Sequence, residues 1–89
     1  MKIDLNNLKE VYGDEILDII NDNIDIIESN VKTMQQLGFD DVEGIFERNI
    51  DAFLYFPKDF KEKINNLIQA IGPNYVEIIE NDVSYMENL

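Results

Sequence analysis

Three glycines punctuate this chain at matching points of a recurring apolar pattern, and that recurrence limits the folds open to it. After Gly13 the sequence runs Ile16, Ile19, Ile20, Asn23, Ile24, Asp25, Ile27. After Gly38 the same positions hold Val42, Ile45, Phe46, Asn49, Ile50, Asp51, Phe53. After Gly72 they hold Tyr75, Ile78, Ile79, Asp82, Val83, Ser84, Met86. The offsets are 26 and 33 residues, the second unit carrying a longer helix. Self-similarity of this kind marks stacked units that cannot bury their apolar faces alone.

The segments between these points read as helices. Asp4 is placed to cap a helix over residues 5–12 that ends at Gly13, and Asp14 to cap the next from Glu15. Ile24, Ile26 and Ile27 read as a short connector. Ser29 is placed to cap a helix with Val31, Met34 and Leu37 on one face, closed by Gly38. Asp40 and Glu43 have capping-box spacing ahead of Val42, Ile45 and Phe46. Gly44 lies inside that helix at a cost of about 1 kcal/mol relative to alanine, with a close helix–helix approach and neutral drift as equal alternatives. Ile50–Phe56 resembles a strand but has no partner of similar quality, and reads as a buried turn or short 3₁₀ connector. Pro57 suits the first turn of the longest helix, in which Phe60, Ile64, Leu67, Ile68 and Ile71 form a core-facing stripe. Gly72-Pro73 stops it, and Asn74 with Glu77 offers another capping box. The expected fold is all-α: five to six short helices with connectors, stacked as two to three helical repeats in a single domain spanning residues 1–89.

The pattern of an apolar helix, Leu-Gly, two further apolar positions and a short connector resembles the repeat of the mitochondrial transcription termination factor family. Met34-Gln35-Gln36-Leu37-Gly38-Phe39 followed by Ile45-Phe46-Glu47-Arg48-Asn49-Ile50 carries the likeness, and Leu67-Ile68-Gln69-Ala70-Ile71-Gly72 followed by Ile78-Ile79 repeats it. The resemblance implies a helical solenoid. Members of that family bind nucleic acid through basic residues. Here the proline that usually opens the connector is replaced by Ile24, Ile50 and Val83, and the bases are few.

Charge and composition set the expected function. Nineteen acids face seven bases, for a net charge of −12. Such a surface repels phosphate backbones and anionic membranes. Cysteine and histidine are both absent, which removes disulfides, thiolate zinc sites, the commonest general base and the commonest transition-metal ligand. The glycines are isolated, so no phosphate-binding loop is formed. Asn21-Asp22-Asn23-Ile24-Asp25 lacks the glycine and spacing of a calcium loop. The expectation is a binding module without catalytic residues, cofactor or metal. The N-terminal residues lack an apolar signal region, and no apolar run approaches the roughly 18 residues of a membrane span, so a cytoplasmic location is expected. The richness in Asn, Ile, Asp, Glu and Lys points to a low-GC bacterial or phage origin.

Two surfaces are candidates for a protein partner. Asp14, Asp18, Asp22 and Asp25 share one quadrant if residues 14–25 form a continuous helix, and such a face invites a basic partner. Residues 1–30 carry eight acids and two lysines. The alternative role for these acids is a solvated helix face. Leu54, Tyr55 and Phe56 exceed what one core face needs. They form either core beneath the long helix or an exposed patch for docking or homodimer formation. Lys58, Lys61 and Lys63 are the one basic cluster, interleaved with Asp59 and Glu62. They read as an ordinary charged face, with pairing to the Asp14–Asp25 face of a second copy as the other possibility.

Overall fold

In a computed structural model that describes residues 5–89, six α-helices and two 3₁₀ segments follow one another: α1 (Leu5–Tyr12), α2 (Glu15–Asp22), α3 (Ile24–Gln36), α4 (Val42–Arg48), a 3₁₀ segment Ile50–Leu54, α5 (Pro57–Ile71), α6 (Tyr75–Asn81) and a 3₁₀ segment Val83–Asn88. Among the described residues there is no strand. Asp4, expected to cap α1, lies outside them.

The repeat is realised as three helix pairs, α1/α2, α3/α4 and α5/α6, each turned at a glycine with positive φ: Gly13 at 92°, Gly38 at 95° and Gly72 at 101°. The turn at Gly38 is a Schellman motif. Its N–H donates to the Gln35 carbonyl at 3.1 Å and the Phe39 N–H to the Met34 carbonyl at 3.3 Å, with Met34 and Phe39 both buried. A side chain with a Cβ rarely adopts that backbone, so glycine is favoured there.

Two positions of the repeat are buried in all three units, whereas others differ: Ile19 is exposed and its equivalent Ile45 is buried. Ile20, Phe46 and Ile79 are sealed from solvent, and so are Ile27, Phe53 and Met86 seven residues further on. Each repeat thus directs the same two positions into one core, the first from the helix after its glycine and the second from the segment that follows. Phe46, Phe53 and Phe60 run through its middle, Phe46 edge-on to Phe53 with ring centroids 5.4 Å apart and Phe53 tilted against Phe60 at 5.3 Å. Such aromatic pairs contribute about 0.5–1.5 kcal/mol each beyond their buried area. Of the expected stripe on α5, Phe60 and Ile64 are buried. Leu67, Ile68 and Ile71 pack against the core while partly exposed.

Phenol groups tie the units together. Tyr75 Oη donates to the Leu37 carbonyl at 2.7 Å, and Tyr12 Oη donates to the Glu47 carbonyl at 2.6 Å. Both acceptors lie at helix C-terminal ends, where carbonyls have no partner within the helix.

Several local expectations are corrected. Ile24, Ile26 and Ile27 belong to α3: the chain is interrupted only at Asn23 (φ −120°, ψ 19°), and the Ile27 N–H already donates to the Asn23 carbonyl at 2.9 Å. Ser29 is therefore interior to α3 and caps nothing; its carbonyl accepts from Thr33 Oγ1 at 3.1 Å. Asp14 has helical φ/ψ (−65°, −32°), and its side chain caps no amide. The cap of α4 is Asp41, not Asp40: its Oδ1 accepts from the Gly44 N–H at 3.1 Å. The Asp40 and Asp41 amides instead donate to Glu80 Oε1, at 2.7 and 3.2 Å, across from α6. Asn74 makes no side-chain cap to α6. The connector at Ile50–Leu54 is 3₁₀ as expected, and Pro57 opens α5.

Candidate functional site

The three repeats leave an open cleft where they meet. Tyr12 and Ile16 reach it from the first pair, the 3₁₀ segment contributes Ile50 and Ala52, and the C-terminal segment contributes Met86 and Leu89, around a volume of about 380 Å³. Ile16, Ile50, Ala52 and Met86 are buried side chains of the core edge, so the floor is apolar. Tyr55 forms a further wall, and Arg48, Asp51 and Glu87 stand exposed around it.

A buried amide anchors one wall of the cleft. Asn30, on α3, is fully buried, and its Nδ2 donates to the carbonyls of Phe53 at 2.9 Å and Tyr55 at 2.8 Å. The second bond falls where the chain leaves the 3₁₀ turn in extended conformation at Tyr55 (φ −66°, ψ 147°). Two carbonyls that no longer follow a helical ladder are satisfied this way. The Asn30 Oδ1 has no hydrogen-bond partner among the described residues. Tyr55 is held a second time by its hydroxyl, which donates to the Leu89 carbonyl at 3.0 Å, and the Lys63 ammonium sits 4.9 Å from its ring centroid.

The expected aromatic patch divides. Leu54 is turned inward and packs against the core, so it is withdrawn from the docking surface. It follows Phe53 in a 3₁₀ turn that buries Ile50, Ala52 and Phe53 on its inner side. Tyr55 and Phe56 are exposed, Phe56 by 67% of its surface. The chain runs extended through Tyr55 and Phe56 into Pro57, and this releases both from the core.

The acidic face also divides. Asp14, Asp18, Asp22 and Asp25 are all exposed, but they do not share one helix: α2 ends at Asp22, Asn23 breaks the chain, and Asp25 lies in the first turn of α3. Asp14 and Lys9 form the one salt bridge among the described residues, at 3.5 Å and well exposed. Asp18 and Asp22, one turn apart on α2, form no salt bridge among the described residues. Among the described residues no three carboxylates converge as a metal-holding group, and no helix is long and apolar enough to cross a membrane.

No family model matches the chain, and comparison with curated proteins and with solved structures finds no match.

Tyr12 is the site residue that sequence reasoning missed. It precedes Gly13 at the end of α1 and looks like an ordinary last-turn residue; its place on the cleft depends on Glu47, 35 residues away. Val11 and Ile19 add exposed apolar surface on the same helix pair. A second hollow, of about 410 Å³, lies beside α6 between Asp40, Val76 and Glu80. The Glu80 carboxylate is already engaged there by the Asp40 and Asp41 amides.

Proposed function

We propose that this chain is a non-enzymatic protein-interaction module of a bacterial or phage cytoplasm. Its docking edge is the cleft beside Tyr12 and Tyr55, together with the adjoining Phe56. The observation that carries this reading is the open, apolar-floored cleft with an aromatic rim on a protein of 89 residues. Aromatic side chains held rigid at such an edge are the usual anchors of protein interfaces, because they bury large area at little entropic cost. Tyr12 and Tyr55 are held in that way by their hydroxyl bonds to main-chain carbonyls.

A second reading is favoured by Asp18 and Asp22, exposed on a helix without a base. In it the chain is an acidic decoy or inhibitor, of the kind an immunity protein, antitoxin or phage antagonist provides, that covers a basic nucleic-acid-binding surface of another protein.

Capture of partners by the immobilised full chain tests both. If the docking edge is used, Phe56→Ala weakens the retained partner by about 1–3 kcal/mol and binding tolerates salt. If the decoy reading holds, the joint change Asp14→Asn, Asp18→Asn, Asp22→Asn and Asp25→Asn slows association and flattens its salt dependence, because rim charges act mainly on the encounter rate. A partner indifferent to both sets of changes removes both surfaces.

A further inference from the structure

The cleft has two chemical halves. Its floor is aliphatic, made by Ile16, Ile50, Ala52 and Met86, whereas Asp51 and Glu87 stand exposed at its edge. The hydroxyl hydrogens of Tyr12 and Tyr55 are committed to the carbonyls of Glu47 and Leu89. Arg48 is the lone cation on the lining, and its position has an internal reason: it occupies the last turn of α4, where the helix dipole favours positive charge. Asp51 and Glu87 against Arg48 leave the lining negative, within a chain of net charge −12.

We propose that the cleft receives a lysine or arginine side chain, flanked by apolar residues, from an extended segment of a basic partner protein. This rests on the interaction reading above and names the chemistry of the partner. A long cationic side chain has the same two halves as the cleft. Its methylene stem covers the aliphatic floor, and its charged head reaches Asp51 or Glu87. The summed negative field concentrates such a segment near the surface and speeds its arrival. A second copy of this chain is disfavoured as occupant because it brings the same −12 charge. Nucleic acid is disfavoured by its phosphates.

The test titrates the isotope-labelled full chain with two synthetic peptides, acetyl-Ala-Leu-Arg-Leu-Ala-amide and its citrulline counterpart, which keeps the shape but not the charge. Amide and methyl shifts read by NMR are expected to cluster at Tyr12, Ile50, Ala52 and Met86. The arginine peptide is expected to bind about fivefold tighter than the citrulline peptide, the difference expected of exposed ion pairs. That difference shrinks at about 0.5 M salt, where the Debye length is a few ångströms. The double change Asp51→Asn and Glu87→Gln, at exposed positions that the core does not use, abolishes the preference. Equal binding of the two peptides in the cleft overturns the cationic occupant and leaves the interaction reading intact. Shifts confined to Asp18 and Asp22, or no shifts at all, overturn the cleft as the seat of a basic segment. Partner capture with Phe56→Ala then decides the interaction reading separately.

Discussion

The carboxamide of Asn30 donates to the carbonyl of Tyr55 at 2.8 Å, and so the central helix α3 holds the residue that walls the cleft. A second bond from the same nitrogen reaches Phe53, whose ring lies between those of Phe46 and Phe60. One buried side chain therefore couples core packing to cleft geometry. Removing it leaves two carbonyls without their donor. Asn30→Ala is expected to cost about 2–3 kcal/mol, the penalty for stranding buried polar groups, measured by urea denaturation. For a chain of 89 residues, with a stability of roughly 0.05–0.15 kcal/mol per residue, that is a large fraction of the total.

Asn30→Asp is expected to be worse near neutral pH and to improve on acidification. The carboxylate would face the Phe53 and Tyr55 carbonyls in a site without solvent. Burial and those acceptors raise its folded pKa above the unfolded value of about 3.9. Between the two values the native state binds more protons, so stability relative to wild type falls as pH rises through that window and then levels off. Paired urea curves at several pH values measure this, and a pH-independent deficit would remove the buried-carboxylate explanation.

Much of this arrangement was legible in the sequence, for a stated reason. Ile20, Phe46 and Ile79 share a register position and are all buried, as are Ile27, Phe53 and Met86, so periodicity and burial report the same physical demand. The break at Asn23 was less legible. A single non-helical residue followed by an isoleucine-rich run reads as a connector, yet burial of Ile27 and the Asn23 carbonyl bond carry the helix on. Capping-box spacing favours Asp40 over its neighbour Asp41, but Glu80, forty positions away, takes the Asp40 amide and Asp41 caps the helix. The cleft could not be read in advance, since Tyr12, Ile50, Tyr55 and Met86 come together only through the stacking of three pairs.

Gly72 and Gly44 are expected to respond differently to alanine. Gly72 has φ 101° and ψ −166°, a region closed to residues with a Cβ. Gly72→Ala should cost about 1–3 kcal/mol although nothing crowds the added carbon. At Gly44 φ is not positive, but an added Cβ meets the capping carboxylate of Asp41. The helix gains about 1 kcal/mol of propensity from alanine, and displacing the cap costs about as much. Gly44→Ala should therefore leave the thermal midpoint nearly unchanged. A large loss there would mean that Asp41 cannot move aside.

Salt should stabilise the protein. With nineteen acids, seven bases and one exposed ion pair among the described residues, net repulsion outweighs surface pairing. Raising the ionic strength from about 0.01 M to about 0.15 M shortens the Debye length from roughly 30 to 8 Å, and the thermal midpoint should climb. The joint Asp14→Asn, Asp18→Asn, Asp22→Asn and Asp25→Asn variant should start higher and climb less. Like charges one helical turn apart oppose each other by a few tenths of a kcal/mol. A lower midpoint for the variant would show that these acids stabilise the fold.

The isolated chain is expected to show no measurable affinity for DNA or RNA at about 0.15 M salt. Kinship with the transcription termination factor repeat would imply nucleic-acid binding, and charge argues the reverse. Affinity for a duplex grows with the number of phosphates neutralised, and each contact must come from a lysine or arginine that is free and suitably aligned. Lys9 is paired with Asp14, and Lys63 lies on Tyr55. Arg48 closes α4, whereas Lys58 and Lys61 alternate with Asp59 and Glu62 along α5. Among the described residues, Lys9 and Arg48 lie on α1 and α4, and the three lysines of α5 are interleaved with Asp59 and Glu62. Fluorescence polarisation with labelled duplex DNA and single-stranded RNA measures the outcome. Micromolar binding that weakens steeply with salt would overturn the charge argument and restore the function that the resemblance implies.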